Sequence, residues 1–330
     1  MPMSQILSNC SFDALASAAQ ALIDGSLVAF PTETVYGLGA DATNADAVAH
    51  IYEVKGRPSD HPLIIHISDL KHLEKWISDF PEYAISLARE FWPGPMTLIL
   101  HRSELAKDFV TGGQNTVGIR IPDNSIALGL LEAFHKLGGI GVAAPSANRF
   151  GQVSPTTAEA VTEELGAFLA DIDLVLDGGP SEVGLESTII DCTRVLPRIL
   201  RPGAITIEMI EEVTGLKVSN LLDKNSDEFK QETIRVSGSM ENHYAPTAKV
   251  FLDQQPVEGS GFIALEIIET PIGSVRLAAP KSVEEFARTL YSALREGDHQ
   301  GLESIYIAQP TGDGLSIAIR DRLSRAAKGK

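Results

Sequence analysis

The chain has 330 residues, 44% of them apolar and 22% charged, and carries a net charge of −17, which suits a globular protein long enough for two domains. It has no apolar run of the ~18 residues needed to cross a bilayer and no basic head followed by an apolar stretch, so no membrane association and a cytoplasmic location are expected. Residues 1–206 hold 13 Lys and Arg against 25 Asp and Glu, a balance that argues against a broad nucleic-acid face but leaves room for a few cations around one nucleotide.

Residues 11–23 predict a helix: Ser11 can cap it, and Phe12, Leu15, Ala19, Leu22 and Ile23 share one face. Residues 27–30 are a short apolar strand stopped by Pro31. Residues 45–54 predict a helix that runs into a loop at Lys55. A strand at 62–67 follows, then a helix at 81–91 that ends in Trp92-Pro93-Gly94-Pro95. Further strands are predicted at 96–100, 116–121, 140–144, 173–176, 187–191 and 198–200, and one short helix at 206–213. Some strands follow one another directly and others are separated by helices. The expected fold class is therefore α/β with a twisted mixed sheet over residues 1–213.

Residues 214–247 are polar and poorly periodic, and 224–232 are heavily charged, which predicts a linker. Regular rhythm returns over 248–330, with strands at 249–252, 262–265, 275–278 and 304–308. Ser282-Val283-Glu284-Glu285 is a capping box opening a helix to about Arg295, and 315–327 close the chain as a helix. A small Rossmann-like α/β domain without a dinucleotide fingerprint is expected there. Cys10 and Cys192, the only cysteines, have no metal-type spacing and imply a reducing compartment.

Two loop motifs carry donors suited to an anion. Lys55-Gly56-Arg57-Pro58 supplies two cations, and Ala144-Pro145-Ser146-Ala147-Asn148 supplies a hydroxyl and an amide. Arg binds oxygens bidentately while Lys acts as a mobile point charge, a mixture that fits a polyphosphate. Four further segments stand out: Pro31-Thr32-Glu33-Thr34-Val35-Tyr36-Gly37-Leu38, Thr116-Val117-Gly118-Ile119-Arg120, Gly184-Leu185-Glu186-Ser187-Thr188 and Leu200-Arg201-Pro202-Gly203.

Together, in the order they take along the chain, these six motifs resemble the threonylcarbamoyl-AMP synthases of the YrdC-domain family. Ser237-Gly238-Ser239-Met240-Glu241-Asn242-His243-Tyr244-Ala245-Pro246 looks like the linker of the long, two-domain members. The resemblance implies that L-threonine, bicarbonate and ATP give threonylcarbamoyl-adenylate and pyrophosphate. The product would pass to a transferase that modifies the adenosine beside the tRNA anticodon. Arg120 would take the threonine carboxylate, with Thr34, His66, Ser187, the Ala144 backbone and Thr32 around the amine and hydroxyl. Lys55 and Arg57 would be the catalytic cations and, with Arg201, would hold the phosphates. Thr116, Ser146, Asn148 and Ser154 would serve as neutral donors. His61 stands where many members carry Asn, which leaves its contact with the nucleotide open. His243 and Tyr244 would fold over the nucleotide as a lid. Mg2+ would ride on the ATP, with no metal ligand from the protein. Short members lack residues like 248–330, so the resemblance implies that the chemistry does not need them directly.

Each residue also has a plainer reading. Lys55 and Arg57 could be a solvated helix end, Ser146 and Asn148 turn residues, and Thr32, Thr34 and Tyr36 polar strand ends. His66 could be a satisfied core histidine, Arg120 and Arg201 structural ion pairs, and Tyr244 linker packing. The alternative function is a double-stranded RNA-binding or RNA-maturation protein, which a basic concave face would reveal. Direct tRNA binding stays open on the same ground.

Overall fold

A computed structural model describes residues 5–7, 11–220, 234–238 and 244–329. The N-terminal unit opens with strand β1 (Gln5–Leu7), helix α1 (Phe12–Ile23), β2 (Val28–Phe30), β3 (Gly37–Asp41), α2 (Ala45–Lys55) and β4 (Ile64–His66). A 3-10 turn (Leu70–Lys75) leads to α3 (Glu82–Phe91), β5 (Met96–His101), α4 (Asp108–Thr111), β6 (Thr116–Arg120), α5 (Ser125–Lys136) and β7 (Val142–Ala143). The unit closes with α6 (Ala158–Leu165), β8 (Leu174–Leu176), β9 (Thr188–Asp191), β10 (Arg198–Arg201), α7 (Ile207–Thr214) and β11 (Ser219–Asn220). Its strands form one sheet in the order β1-β8-β2-β3-β7-β4-β6-β5-β9-β10-β11. Parallel pairs such as β4–β6 alternate with antiparallel ones such as β5–β6, so the sheet is mixed as expected.

Apolar residues point both ways from this sheet. On one face α1 and α5 bury Leu22, Leu130 and Phe134 against β2, β7 and β8. On the other, α2, α3 and α7 bury Ile51, Leu87 and Ile210 in the main core. Phe134 is fully buried, and its truncation to Ala would cost about 3–5 kcal/mol. Seven elements are absent from the sequence reading: β1, β3, the 3-10 turn at 70–75, α4, α5, α6 and β11. The strand β3 reads Gly-Leu-Gly-Ala-Asp, too poor in branched residues to declare itself. Gly39 sits there because an added Cβ would lie 2.8 Å from Val142. The helices α5 and α6 carry legible caps, Asn124 and Thr157, whose side chains accept from Ala127 N and Ala160 N.

The first sheet also runs further than the predicted boundary at residue 213, because β11 pairs in parallel with β10. Residues 234–238 lie back on the N-terminal unit. Gln114 clamps them, accepting from Arg235 N at 2.7 Å and donating to Arg235 O at 3.0 Å. Ile234 and Val236 pack there with Ile99, Ile189 and Leu200.

The C-terminal unit holds β12 (Lys249–Leu252), β13 (Gly261–Ile263), β14 (Val275–Ala278), α8 (Val283–His299), β15 (Ser304–Ile307) and α9 (Leu315–Ala326). Its four strands are all parallel, in the order β12-β15-β13-β14. Ser282 caps α8 through Glu285 N, as the capping box predicts. Val35, Val153 and Leu185 of the N-terminal unit join the apolar core of this second unit. Gly184, at φ +78°, allows the approach: a Cβ there would meet the Arg288 Cα at 2.5 Å.

Candidate active site

Lys55 closes α2, and Gly56 ends the helix in the left-handed conformation, φ 62°. The chain then turns so that Arg57 N bonds Tyr52 O at 2.9 Å. Lys55 is 2% exposed. Its Nζ donates to Ser146 O at 2.5 Å and also to Asn148 O. The sequence reading of a mobile point charge is therefore corrected: the ammonium is tethered. Burial, with Arg57 and Arg149 close by, pushes its pKa well below the usual lysine value. Arg57 donates to Pro62 O and to Ser237 Oγ, at 2.9 and 3.0 Å. Burial lowers its pKa to about 10.

Arg201, at the end of β10, grips the segment before β9. Its Nε donates to Ser187 O and its Nη2 to Ser187 Oγ, both at 3.1 Å, while Nη1 donates to Ser237 O at 3.0 Å. These three cations line one cleft, whose wall also includes Ser146, Phe150 and Tyr244.

The adjacent β4 and β6 bring His66 and Arg120 side by side in register on the same cleft. Burial first, then the Arg120 charge, lowers the His66 pKa to about 3, so this imidazole is neutral at pH 7. Arg120 pairs with buried Glu33 at 2.6 Å. Its Nε is buried without a hydrogen-bond partner among the described residues, which leaves a donor for an incoming carboxylate. Thr32 lies in the same wall, but its hydroxyl donates to Val35 O at 2.7 Å. Thr34 Oγ1 stands 2.8 Å from Thr32 Oγ1 and must donate to it, since Thr32 has spent its own proton. Thr34 therefore presents acceptor lone pairs, which suit an amine. Ala144 and Ser187 line the same cleft.

Four expected residues do not reach the wall. Thr116 lines a separate small hollow with Val236, because β6 enters the cleft only at its Arg120 end. The Asn148 amide turns into its own loop and donates to Arg149 O and Gln152 O. Ser154 is fully buried and gives its hydroxyl to Glu186 at 2.6 Å. His61 packs edge-on to Phe150, 5.3 Å between ring centroids. His243 lies outside the described residues.

Glu186, by contrast, lines the cleft without having been assigned a role from the sequence. Burial alone would raise its pKa, but Arg322 and Arg201 outweigh that and hold it at about 2. A lone carboxylate inside Gly184-Leu185-Glu186-Ser187-Thr188, a motif otherwise without charge, is the signal that could have marked it.

Residues 20–203 match the Sua5, YciO and YrdC family model, described as telomere recombination. Residues 205–328 match the model described as threonylcarbamoyl-AMP synthase, C-terminal domain. The chain is 40% identical over 326 residues to threonylcarbamoyl-AMP synthase of Pyrococcus abyssi, covering 94% of this chain and 93% of that protein. The chain belongs to the threonylcarbamoyl-AMP synthase family. The family member from Bacillus subtilis is 40% identical over 334 residues, covering 96% and 93%. The crystal structure of P. abyssi Sua5 complexed with L-threonine superposes with a TM-score of 0.86 at 37% identity, over 98% of each chain. A second structure of that protein, in which a His and the Tyr after it are both replaced by Ala, gives 0.83 at 35% identity. Family membership makes the chain an ATP-using enzyme of nucleotidyltransferase type, with the two-unit fold described above. No described helix is long and apolar enough to cross a membrane.

Proposed function

We propose that this cleft joins L-threonine, bicarbonate and ATP into threonylcarbamoyl-AMP and pyrophosphate. The observation that carries the reading is that one cleft gathers Lys55, Arg57 and Arg201 with Thr34, His66 and Arg120. The first three suit phosphates and would form a nucleotide end. The other three suit a zwitterion, with Arg120 for the carboxylate and the Thr34 oxygen for the amine.

No side chain is needed as a nucleophile. The neutral threonine amine adds to CO2 and gives up a proton to solvent, or condenses with bicarbonate and expels water, to give a carbamate. A carbamate oxygen then attacks the α-phosphorus, and the bond to the bridging oxygen breaks as pyrophosphate leaves. Neutral His66 leaves the amine free of a competing cation. Lys55, Arg57 and Arg201 offset the negative charge on the phosphates, and their tethers fix them before the reaction. Mg2+ would arrive on the ATP, held by phosphates and water. The donor set fits that arrangement, because the cleft's carboxylate, Glu186, is engaged by Ser154, Tyr291 and Arg322.

Residues 237 and 238 and Tyr244 border the cleft, which supports a strap that excludes water while a labile adenylate forms. The product would pass to a tRNA threonylcarbamoyl transferase in the cytoplasm. Duplex RNA binding gains no support, because Lys55, Arg57, Arg120 and Arg201 are all buried.

The test is pyrophosphate release with ATP, Mg2+ and bicarbonate, with and without L-threonine. Release that requires both threonine and bicarbonate is expected. Threonine-independent release by folded protein would sink the reading.

A further inference from the structure

Glu186 poses an electrostatic difficulty for a phosphate site. Among the described residues it is the only carboxylate in the cleft wall, and it precedes Ser187, the residue that Arg201 grips. An unneutralised carboxylate there would repel a polyphosphate and would draw Arg201 toward itself.

The partner that removes the difficulty comes from the other unit. Arg322, on α9, is 1% exposed and donates from Nε to Glu186 Oε2 at 2.8 Å. Its Nη2 donates to Pro202 O at 2.9 Å, the carbonyl just after Arg201. Asp321 holds its Nη1 at 2.6 Å. Its guanidinium also lies 5.3 Å from the centre of the Tyr244 ring. The Tyr291 hydroxyl on α8 donates to the same carboxylate at 3.0 Å.

We propose that Arg322 is a positioning residue for ATP: from the C-terminal unit it neutralises Glu186 and fixes the chain on both sides of the cleft wall, leaving Arg201 to meet phosphate. This rests on the nucleotide end of the cleft proposed above. It also gives the second unit a part in the chemistry, which the resemblance to short family members does not imply.

The experiment measures initial rates of pyrophosphate release by the full-length chain, varying ATP and L-threonine in turn. The variants are Arg322→Gln and the double change Glu186→Gln with Arg322→Gln. The single variant should raise KM for ATP about tenfold or more, since it strands a buried charge, while KM for L-threonine stays unchanged. The double variant should bring KM for ATP back toward the native value, because removing both partners of a buried pair is near neutral. A residue that merely bolts the units together would move both KM values or neither, and the second change would not repair it.

A folded R322Q protein with native KM for ATP overturns the proposal. So does a double variant no better than the single one. If R322Q alone gives no cooperative melt, the double variant decides: folded, with KM for ATP still raised tenfold, it overturns the proposal. Failure of the native chain to release pyrophosphate with threonine would instead overturn the functional reading.

Discussion

Lys55 shows how one residue's backbone neighbours set its chemistry. Two carbonyls, from Ser146 and Asn148, hold its ammonium at the cleft. Lys55→Ala should lower the rate of threonine-dependent pyrophosphate release by about a hundredfold or more. Gly56 matters for a different reason. At φ 62°, with Arg149 Nη2 only 2.7 Å from where a Cβ would stand, Gly56→Ala should destabilise the fold by about 1–2 kcal/mol. It should also misplace Arg57, so a urea midpoint and the ATP KM would shift together. The motifs were legible as anion donors because Lys, Arg, Ser and Thr declare their chemistry by type. The direction of each side chain was not legible: Asn148 sits inside the right motif and Ser154 six residues after it, yet one serves its own loop and the other Glu186. Tertiary neighbours far along the chain decide such choices.

At the scale of elements, the strap over residues 234–238 depends on a side chain that mimics a strand. Gln114 offers Arg235 one donor and one acceptor, as a neighbouring β-strand would. Gln114→Ala should weaken strap closure by about 1–2 kcal/mol. Pyrophosphate release should continue while the yield of intact adenylate falls, because water would reach the product; chromatography of the adenylate against released AMP measures this. Apolar strands such as β4 and β6 were readable from their residues, since they are buried on both faces and flanked by Gly or Pro. β3 was not, because close packing against Val142 and Phe30 favours glycine over the branched residues that mark strands.

For the whole molecule, the two units share apolar residues. Val35, Val153 and Leu185 sit in the core of the C-terminal unit, and Arg295 on α8 reaches back to Glu164 on α6 at 3.1 Å. Denaturant unfolding should therefore be one transition, with the fluorescence of Trp76 and Trp92 in the first unit tracking far-UV circular dichroism of both. Two separated steps would contradict a shared core. Acid should weaken this fold in a defined order. His66 titrates near 6.5 when unfolded and near 3 when folded, so the unfolded chain binds the extra proton between those values. Stability then falls as pH drops from about 6.5 toward 3. Glu186, lowered from 4.5 to about 2, adds a loss that sets in below 4.5. Thermal melts across this range should show both, and His66→Gln should flatten the upper part.

The place of Arg322 in the chain has a consequence for synthesis. The ribosome finishes the eleven-stranded sheet, which ends at β11, well before it reaches residue 322 of 330. N-terminal units fold first as they emerge. A chain halted or clipped before residue 322 would thus carry the eleven-stranded sheet with Lys55, Arg57, Arg120 and Arg201, yet lack the guanidinium that neutralises Glu186. The same cut would take Leu323 and Ala326 from the shared core, so the charge that quiets the cleft and the packing that joins the units arrive together, last.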